Sequence, residues 1–506
     1  MSLRPTLDPH AAALEFLYGR IDYERALNVP YRPQEFKLQR MRRFLDRLEN
    51  PHHHLPIIHV AGTKGKGSTA AMIGAVLTVA GYRTGVFSSP HLDRIEQRLA
   101  VAGQPCSSDE LVELVDRIRP AVEAMDREAS AGDPDEIGPT YFEITTAMAL
   151  LHFLRRQADA AVLEVGLGGR LDSTNVCRPC VSVITSISFD HTKQLGNTLG
   201  SIAREKAGIV KPGVPVVSGV VEDEPRQVIR EICRRCGCRL VERGVDFDFR
   251  YYPPRGLEQA AATGKLDFLG RAKGDATGDG SCQGISGISL RMLGHHQAAN
   301  AAVAMAALHE LRQAGWNVPE QAVRTGLAEA VCPARVEVVA RRPTIVIDAA
   351  HNPASIEALL RVLDESFSVA RRRLIFATTR EKDLRGMLGC VLDRFDQVVF
   401  TQYLDNLRAV PPEELAALAH EASGREYAVY RDPADALAAV RALAGPDELV
   451  CITGSFFIAA AMRRRLVLPC EPAADETGGR SPRRGQTESS TTAPGTTIHP
   501  AKEITP

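Results

Sequence analysis

The sequence lacks any uninterrupted apolar stretch long enough to cross a lipid bilayer, since a spanning helix needs about 20 predominantly apolar residues. Its opening stretch, MSLRPTLDPHAAALEF, has charges and prolines where a secretory signal peptide has a continuous apolar core. We therefore expect a cytoplasmic protein with no membrane attachment.

The chain also has almost no net charge. Its 61 lysines and arginines stand against 62 aspartates and glutamates, which gives a formal net charge of -1. Nucleic acids and anionic membranes attract proteins that carry an excess of positive charge. We expect neither as a partner.

Cysteines are sparse, with 11 in 506 residues, and a chain of this length does not need a disulfide framework. Two clusters, Cys177 with Cys180 and Cys233 with Cys236 and Cys238, together contain enough thiolates for a zinc site. The alternative is that the first pair flanks a turn and the second cluster ends a surface helix. Because C-x-x-C pairs alone are weak evidence, we expect free thiols.

Apolar strand-like runs alternate with helical stretches along most of the chain. LPIIHVAG, AAVLEVG and VSVITSI are typical of buried strands, and STAAMIGAVLTVAG and EITTAMALLHFLRR are typical of helices. Such alternation indicates an α/β protein with a mostly parallel sheet covered on both faces. The sequence predicts an N-terminal α/β domain, of P-loop ATPase type because the glycine-rich stretch AGTKGKGST follows one of its strands, and a smaller Rossmann-like C-terminal α/β domain.

The expected domain limits follow from changes in composition. We assign residues 1–330 to the N-terminal domain and 331–469 to the C-terminal domain, where a second alternating series begins. Residues 244–289 are rich in glycine and small polar residues, which predicts hairpins or a mobile loop outside the core. Residues 470–506 have the composition of a disordered tail.

The stretch HVAGTKGKGSTAAMI, which begins at His59, predicts a phosphate-binding loop. A strand runs into glycines, and a helix is expected to start at Ser68 and Thr69. Glycines let successive N–H groups point at a phosphate, and the helix N-terminus adds partial positive charge. Lys66 can reach the β- and γ-phosphates, although Gly67 separates it from Ser68, unlike in the common G-x-x-x-x-G-K-[ST] pattern.

Polar side chains follow several of the predicted strands. Glu164 ends AAVLE, Asp190 and His191 follow VSVITSI, and Ser88-Ser89-Pro90-His91 follows RTGVF. The carboxyl ends of parallel strands form the edge where ligands bind, and Mg²⁺ prefers hard oxygen ligands. We expect Glu164 to be the best magnesium ligand among them.

The motifs together resemble those of folylpolyglutamate synthases and dihydrofolate synthases, a family of the Mur ligase superfamily. The resemblance rests on AGTKGKGST, SSPHLDRIEQR, TYFEITTAMA, LEVGLGGRLDSTN, ITSISFDHT, REKAGIVK and DAAHNP. It extends from the N-terminal helices to about residue 465, without the Gly-rich segment and the tail. It implies an ATP-dependent acid–amino-acid ligase that adds L-glutamate to a folate, to dihydropteroate, or to both.

The resemblance further implies roles for individual residues. The ATP-binding residues would be Thr63, Lys64, Gly65, Lys66, Gly67, Ser68, Asn300, Arg335 and Asp348. The magnesium ligands would be Ser89, Glu164 and His191. The pterin or pteroate pocket would be lined by Asp22, Tyr23, Glu24, Arg25, Thr140, Tyr141, Phe142, Glu143, Leu171, Asp172 and Ser173.

Three residues would act directly in the chemistry: Lys66, Lys206 and His351, the last lying beside Asn352. Lys206 matches a lysine that such enzymes carry as a carbamate, which would be able to order a second divalent ion. Read from its residues alone, REKAGI would place Lys206 on a helix surface. The implied partners are small molecules bound by a monomer.

Two other functions are compatible with a phosphate loop. A Mur-type ligase acting on a UDP-muramoyl peptide would need a uridine-binding domain before the loop, and about 60 residues precede it here. A P-loop kinase or NTPase function would not explain the motif LGGRLDSTN, Lys206 or the second domain.

Overall fold

The computed structural model of the chain describes residues 8–22, 38–131, 137–270, 284–404 and 408–467. The predicted tail at residues 470–506 lies outside the described residues, as do Tyr23, Glu24 and Arg25 of the predicted pterin pocket.

Strand β1 (Ile57–Ala61) shows why the apolar runs form a covered sheet. All five residues are buried, and alternate side chains point to opposite faces of the strand. Ile58 and Val60 pack in one core cluster, while Ile57 packs in another. A parallel strand with a core on each face needs a continuous apolar sequence, as this one has.

Eight strands form the N-terminal sheet around β1. The others are β2 (Thr84–Phe87), β3 (Leu99–Val101), β4 (Gln104–Pro105), β5 (Ala160–Glu164), β6 (Val181–Ile184), β7 (Val216–Ser218) and β8 (Leu240–Glu242). Their order is β4-β3-β2-β5-β1-β6-β7-β8. Only the β2–β3 and β3–β4 pairs are antiparallel, so the predicted mostly parallel sheet is confirmed.

Helices in this part of the chain cover both faces of the N-terminal sheet. They are α1 (Pro9–Tyr18), α2 (Leu38–Asp46), α3 (Lys66–Val79), α4 (Ser108–Ala131), α5 (Tyr141–Arg155), α6 (Thr192–Leu195), α7 (Leu199–Lys206), α8 (Asp223–Arg235), α9 (His295–Gln313) and α10 (Glu320–Glu329). Helices α3 and α9 pack on one face with Ile58 and Val60, and α4 and α5 pack on the other with Ile57.

The Gly-rich segment contains a second sheet, which confirms the predicted hairpins, whereas the predicted place outside the core is wrong. Strands β9 (Phe247–Tyr252), β10 (Gly264–Gly270) and β11 (Ile285–Leu290) form an antiparallel sheet in the order β11-β10-β9. Phe247, Leu266 and Ile288 are buried in the same core cluster as α3 and α9. Three of the nine glycines of residues 244–289 lie in residues 271–283, which are outside the described residues.

The C-terminal sheet has six strands. They are β12 (Glu337–Ala340), β13 (Thr344–Ile347), β14 (Arg372–Phe376), β15 (Gln397–Phe400), β16 (Ala428–Val429) and β17 (Leu449–Thr453), in the order β12-β13-β17-β14-β15-β16. Its helices are α11 (Pro353–Ser366), α12 (Leu384–Val391), α13 (Pro412–Ser423), α14 (Pro433–Leu443) and α15 (Phe456–Val467). Every pair except β12–β13 is parallel, which confirms the predicted second α/β unit.

The limits of the two predicted domains, at residues 330 and 469, remain predictions. In the part of the chain that the structure describes, no helix has both the length and the apolar composition needed to cross a membrane.

Candidate active site

The chain turns from β1 into α3 through a glycine loop that tolerates no side chain at two positions. Gly65 has φ +83° and caps α3, and a Cβ there would lie 2.1 Å from Oδ1 of Asn300. A Cβ on Gly62 would lie 1.9 Å from Oγ1 of Thr185. Helix α3 begins at Lys66, two residues before the predicted start. The unpaired N–H groups of its first turn create an anion-binding end.

The loop after β6 holds this glycine loop in shape. The Thr63 hydroxyl accepts from Ser188 N at 3.1 Å, and Thr63 N donates to Ser186 O at 2.8 Å. The carbonyl of Lys64 accepts from Thr185 Oγ1 at 2.7 Å and from Ser186 Oγ at 3.0 Å. Thr63, a predicted ATP contact, thus uses its hydroxyl to fix the backbone.

Glu164, the last residue of β5, faces the glycine loop. Its side chain is buried and accepts a hydrogen bond from Ser89 N at 3.1 Å. A Cβ on Gly67 would lie 3.2 Å from Oε2 of Glu164, so the carboxylate stands against the first turn of α3. Burial raises the pKa of Glu164, and the positive charge of Lys66 and the Ser89 N–H oppose that rise.

Lys206, at the end of α7, is buried rather than on the helix surface. Its Nζ donates to the carbonyl of Gly62 at 2.8 Å, so it reaches the start of the glycine loop. Burial, reinforced by the like charge of Lys66, lowers the pKa of Lys206 to about 7. A buried amine of this kind is uncharged in a large fraction of molecules at neutral pH.

The motifs GLGGR and REKAG are paired because their backbones touch. A Cβ on Gly169 would lie 2.8 Å from the carbonyl of Lys206, and one on Gly208 would lie 2.4 Å from Cα of Arg170. Only glycine permits this approach. The contact fixes the end of α7, and with it Lys206, against the loop after β5.

His191 and Asp190 stand on the same edge, after β6. His191 exposes 51% of its side chain, and its Nε2 lies 3.8 Å from Oδ1 of Asp190. Partial desolvation by the surrounding protein disfavours the charged ring and lowers the pKa of His191, while the negative charge of Asp190 opposes the shift. Burial disfavours ionisation of Asp190, but the charges of His191, Lys382 and His351 outweigh it and lower the pKa of this carboxyl group.

Arg335 enters the site on a strained turn before β12. Its two neighbours, Ala334 and Val336, have φ values of +56° and +48°, which are unfavourable for residues with a Cβ and most of all for a β-branched one. Carboxylates hold the turn: Asp348 Oδ2 accepts from Val336 N and Glu337 Oε2 accepts from Ala334 N, both at 2.8 Å. Asp348 therefore positions Arg335.

His351 lies on the C-terminal side of the site with a defined tautomer. Its Nδ1 is 3.0 Å from the carbonyl of Ala349, which can only accept, so Nδ1 carries the proton and Nε2 has a lone pair. Burial and the charge of Lys382 lower the pKa of His351 to about 4, so the ring is neutral near pH 7.

The predicted pterin residues on α5 form a structural cap. Thr140 and Glu143 make a reciprocal capping box, which the T-x-x-E pattern could have predicted. Both oxygens of Glu143 also accept from Nε of Arg40, at 3.0 and 2.9 Å, in a buried ion pair. Tyr141 is buried and packs against Tyr18, and it does not line the cavity with its neighbours.

Asp172 organises the loop after β5. Its Oδ2 accepts from the N–H groups of Gly166 and Leu167, both at 3.0 Å, and its Oδ1 accepts from the Thr174 hydroxyl. The Thr174 oxygen in turn lies 2.8 Å from Nε2 of His59 on β1. Burial raises the pKa of Asp172, and these hydrogen bonds oppose the rise.

One cavity of about 2000 Å³ gathers nearly all of these residues from both sheets. Of the described residues that the sequence predicted, all except Tyr141 line it: Asp22, Thr63, Lys64, Gly65, Lys66, Gly67, Ser68, Ser89, Thr140, Phe142, Glu143, Glu164, Leu171, Asp172, Ser173, His191, Lys206, Asn300, Arg335, Asp348 and His351. The predicted residues thus meet in a single cleft.

Arg98 and His91 are among the cleft residues that received no role from the sequence. Arg98 is 1% exposed, and its Nε donates to Nδ1 of His91 at 2.8 Å. Both residues line the cavity, and the guanidinium lies 5.2 Å from the centre of the Tyr141 ring. Their motif, SSPHLDRIEQR, was visible, but nothing in its spacing predicts that an arginine after a polar stretch is fully buried.

Comparison with known proteins agrees with this geometry. Residues 60–308 match the Mur ligase middle domain, and residues 334–456 match the Mur ligase glutamate ligase domain. A dihydrofolate synthase/folylpolyglutamate synthase from Bacillus subtilis is 35% identical over 435 residues, which cover 85% of this chain and 94% of that protein.

Solved structures give the same assignment. The folylpolyglutamate synthase of Mycobacterium tuberculosis complexed with ADP superposes with a TM-score of 0.79 at 31% identity, covering 91% of this chain and 99% of that one. Escherichia coli FolC in complex with DHPP and ADP gives a TM-score of 0.72 at 30% identity, covering 91% and 98%. The chain therefore belongs to the folylpolyglutamate synthase/dihydrofolate synthase family of Mur ligases.

Proposed function

We propose that this protein is an ATP-dependent ligase that joins L-glutamate to the carboxylate of a folate, and that the same site also accepts dihydropteroate. The observation that carries the proposal is the meeting of the glycine loop, Glu164, Lys206 and Arg335 in one cleft. Family membership adds support, because the relatives are named for these two ligations. The relatives with ADP bound support ATP as the nucleotide.

The reaction needs an activated carboxylate. A carboxylate resists attack by an amine because it is negatively charged, and transfer of the γ-phosphoryl group of ATP converts it into an acyl phosphate with a good leaving group. The amine of L-glutamate then attacks the acyl carbon, and the tetrahedral intermediate collapses to an amide and inorganic phosphate. Lys66 and Arg335 neutralise the negative charges that meet in this step.

The residues beside the glycine loop fit a magnesium ion. Glu164 is buried, and among the described residues the Ser89 N–H is its one direct hydrogen-bond donor, so the carboxylate retains acceptor capacity towards the cleft. Ser89 and His191 are the other proposed ligands, with the Ser68 hydroxyl nearby on α3. When bound, Mg²⁺ would offset the charge of the phosphates.

Lys206 is proposed to carry a carbamate. Carbon dioxide adds only to an uncharged amine, and the pKa of about 7 provides that form at neutral pH. The resulting negative charge would lie beside the glycine loop, where the ammonium now donates to Gly62 O. Such a group would be able to hold a second divalent ion.

The remaining roles follow from position in the cleft. Phe142, Leu171 and Ser173 are proposed to line the pterin pocket, while Asp172 and Glu143 hold its walls through the backbone contacts described above. His351, with a lone pair on Nε2, is proposed to receive a proton or hydrogen bond from the incoming amine of glutamate. We further propose that the protein acts as a monomer in the cytoplasm on these small molecules.

Phosphate release in the presence of ATP and L-glutamate tests the proposal. Dihydropteroate, tetrahydrofolate and a UDP-muramoyl acceptor are compared as substrates, with mass spectrometry of the product to show addition of one glutamate. Release with either pterin and not with the UDP-muramoyl acceptor is expected. Release with neither pterin, or with ATP and no acceptor at all, would overturn the assignment.

A further inference from the structure

A second group of polar side chains lies apart from the cleft, where the start of α4 meets the end of α5. The sulfur of Cys106, a carboxylate oxygen of Glu110 and a ring nitrogen of His152 lie within 4.8 Å of one another. None of the three lines the cavity described above. Among the described residues, this is the one group of three or more His, Cys, Asp and Glu side chains with such spacing.

The fold holds these three side chains in place. Cys106 directly follows β4 and donates its backbone N–H to Leu99 O at 3.0 Å. Glu110 lies in the first turn of α4, where Ser107 N donates to its Oε2 at 2.9 Å and the Ser107 Oγ accepts from Glu110 N at 3.1 Å. His152 lies in the last turn of α5. Backbone hydrogen bonds therefore fix the Cα positions of the group.

Burial distinguishes this group from ordinary surface residues. Cys106 is 4% exposed and His152 is 1% exposed, while the Glu110 side chain is 17% exposed. The Nδ1 of His152 is buried and has no hydrogen-bond partner among the described residues. A buried imidazole nitrogen without a partner costs free energy that a ligand would recover.

We propose that Cys106, Glu110 and His152 form a binding site for a zinc ion. Thiolate, carboxylate and imidazole are the three ligand types that Zn²⁺ takes in proteins, and three protein ligands leave a fourth position for water. One thiolate and one carboxylate balance the charge of the ion, so the buried complex is neutral. The site ties the start of α4 to the end of α5.

Coordination requires the loss of one proton. Burial and the charges of Glu110 and Glu96 raise the pKa of Cys106 to about 12, so the thiol is protonated near pH 7 and now donates towards Ser107 O at 3.3 Å. Zinc displaces that proton into solvent as the Zn–S bond forms. No electron is transferred, and no other reactant is needed.

Arg156 is the natural competitor of the metal. Its Nη1 lies 3.3 Å from Oε1 of Glu110, and half of its side chain is exposed, so it can turn into solvent. A carboxylate has about four acceptor positions, which leaves room for zinc beside Ser107 N. Replacing Arg156 by Met removes a positive charge beside the site and should tighten zinc binding by a few-fold.

The full-length protein is treated with a chelator, loaded with Zn²⁺ or Co²⁺, desalted and assayed for bound metal. We expect about one zinc per chain and, with Co²⁺, a thiolate-to-cobalt charge-transfer absorption. Zinc binding should weaken by at least about 100-fold in each of the variants Cys106→Ser, Glu110→Gln and His152→Asn. Loss of a ligand should cost more than loss of a residue that only hydrogen-bonds to a ligand. Cys236→Ser is the control. Cys236 belongs to the cluster of Cys233, Cys236 and Cys238, outside the proposed site, so this substitution should leave zinc binding unchanged.

Several results would overturn the proposal. They are wild-type metal content no higher than that of Cys106→Ser, loss of binding in Cys236→Ser, or a cobalt spectrum without the thiolate band. Each variant is first checked by near-ultraviolet circular dichroism. If the serine or asparagine variant does not fold, the wild-type cobalt spectrum and Glu110→Gln decide. Ligase activity is not the readout, so failure here is separate from failure of the proposed function.

Discussion

The Nζ of Lys64 donates to Oδ1 of Asn352 across 2.8 Å, which joins the glycine loop after β1 to the start of α11 beside the C-terminal sheet. The same oxygen accepts from Ser355 N at 3.0 Å and caps α11. Burial lowers the pKa of Lys64, with Asp190 opposing the shift. This hydrogen bond thus connects the glycine loop beside one sheet with a helix N-terminus beside the other.

The first prediction concerns this connection. Lys64→Met removes the donor, and Asn352→Ser keeps a capping oxygen but withdraws it from Lys64. Each variant should raise the KM for ATP, and the double variant should be non-additive by about 0.5–3 kcal/mol, as for residues in direct contact. The measurement is steady-state kinetics of the four proteins in a double-mutant cycle.

The exposed pair of Arg431 and Glu413, 2.9 Å apart, provides the control for that cycle. Arg431→Met should leave the KM for ATP unchanged. Strict additivity of the Lys64 and Asn352 variants would mean that the hydrogen bond does not contribute to nucleotide binding.

The second prediction concerns Lys66. Lys66→Ala removes a positive charge from the first turn of α3 and leaves Glu164 without the cation that most opposes the rise of its pKa. We expect kcat to fall by about 10²–10³-fold, the usual effect of removing one group that stabilises the transition state. Phosphate release measures kcat, and calorimetry with a non-hydrolysable ATP analogue measures nucleotide binding.

Lys265→Ala is a suitable control for Lys66, since Lys265 lies on β10 and donates to Ser289 on the surface. It should behave as wild type. Near-normal turnover of Lys66→Ala would contradict the assignment of the loop.

The third prediction concerns Lys206 and pH. Because the pKa of Lys206 is lowered to about 7, its uncharged fraction grows as pH rises through 7 and shrinks as pH falls. If the carbamate is required, activity at a fixed CO₂ concentration should fall below pH 7 and should be lower in CO₂-depleted buffer. Lys206→Ala should lose activity while staying folded, with partial rescue by small carboxylates.

Lys211 offers a matched comparison for Lys206. It is also partly buried and also donates to a backbone carbonyl, that of Asn175, at 3.0 Å. Lys211→Met should show neither dependence on CO₂ nor rescue by carboxylates. Full activity of Lys206→Ala would exclude the carbamate.

The fourth prediction concerns Arg463 on α15. Its Nη1 lies 3.2 Å from Oδ2 of Asp93, and its Nε lies 2.9 Å from Oε2 of Glu337, the carboxylate that clamps the turn beside Arg335. Arg463→Met should leave Asp93 and Glu337 poorly paired and lower the free energy of unfolding by about 1–3 kcal/mol. It should also raise the KM for ATP more than it lowers kcat.

The readouts separate positioning from general destabilisation. Arg463→Lys should restore part of the ATP affinity, because it retains the charge but can serve only one of the two carboxylates well. Arg465→Met, on the same helix and 3.7 Å from Asp432 at the surface, should change neither quantity. If Arg463→Met is fully folded and its KM for ATP is unchanged, the turn holds Arg335 without the ion pair between Arg463 and Glu337.

Much of the fold could be predicted because buried strands and helices require a characteristic pattern of apolar residues in the local sequence. A parallel strand covered on both faces must be continuously apolar, so β1 and β5 were readable. The hairpins of β9, β10 and β11 were predicted as one alternative, but their burial in the core was missed because their alternating pattern is short and glycine is frequent across the segment. Phe247 and Phe268 stack with ring centres 5.8 Å apart, a contact between residues that are distant in sequence.

From the residues alone, the site was predictable only where local sequence sets geometry, and the family resemblance named cleft residues such as Lys206, Asn300 and Arg335. The glycine loop and Glu164 follow from a strand and the turn after it. Lys206 is buried because the end of α7 packs against Gly169, which no helical periodicity reveals. Arg98 is another such case, since its burial depends on His91 and Tyr141 meeting around it. Tertiary contacts, rather than residue type, create these roles.

The hydrogen bonds from Thr185, Ser186 and Ser188 to the phosphate loop have a thermodynamic consequence. They set the loop backbone through contacts within the protein, so the conformational entropy of these residues is lost during folding rather than during nucleotide binding. Ser186→Ala removes one of these hydrogen bonds. The binding entropy of ATP should then become more unfavourable, while the binding enthalpy stays similar. If the glycine loop binds ATP as proposed, its affinity for nucleotide depends in part on the hydrogen bonds that this neighbouring loop makes to its backbone.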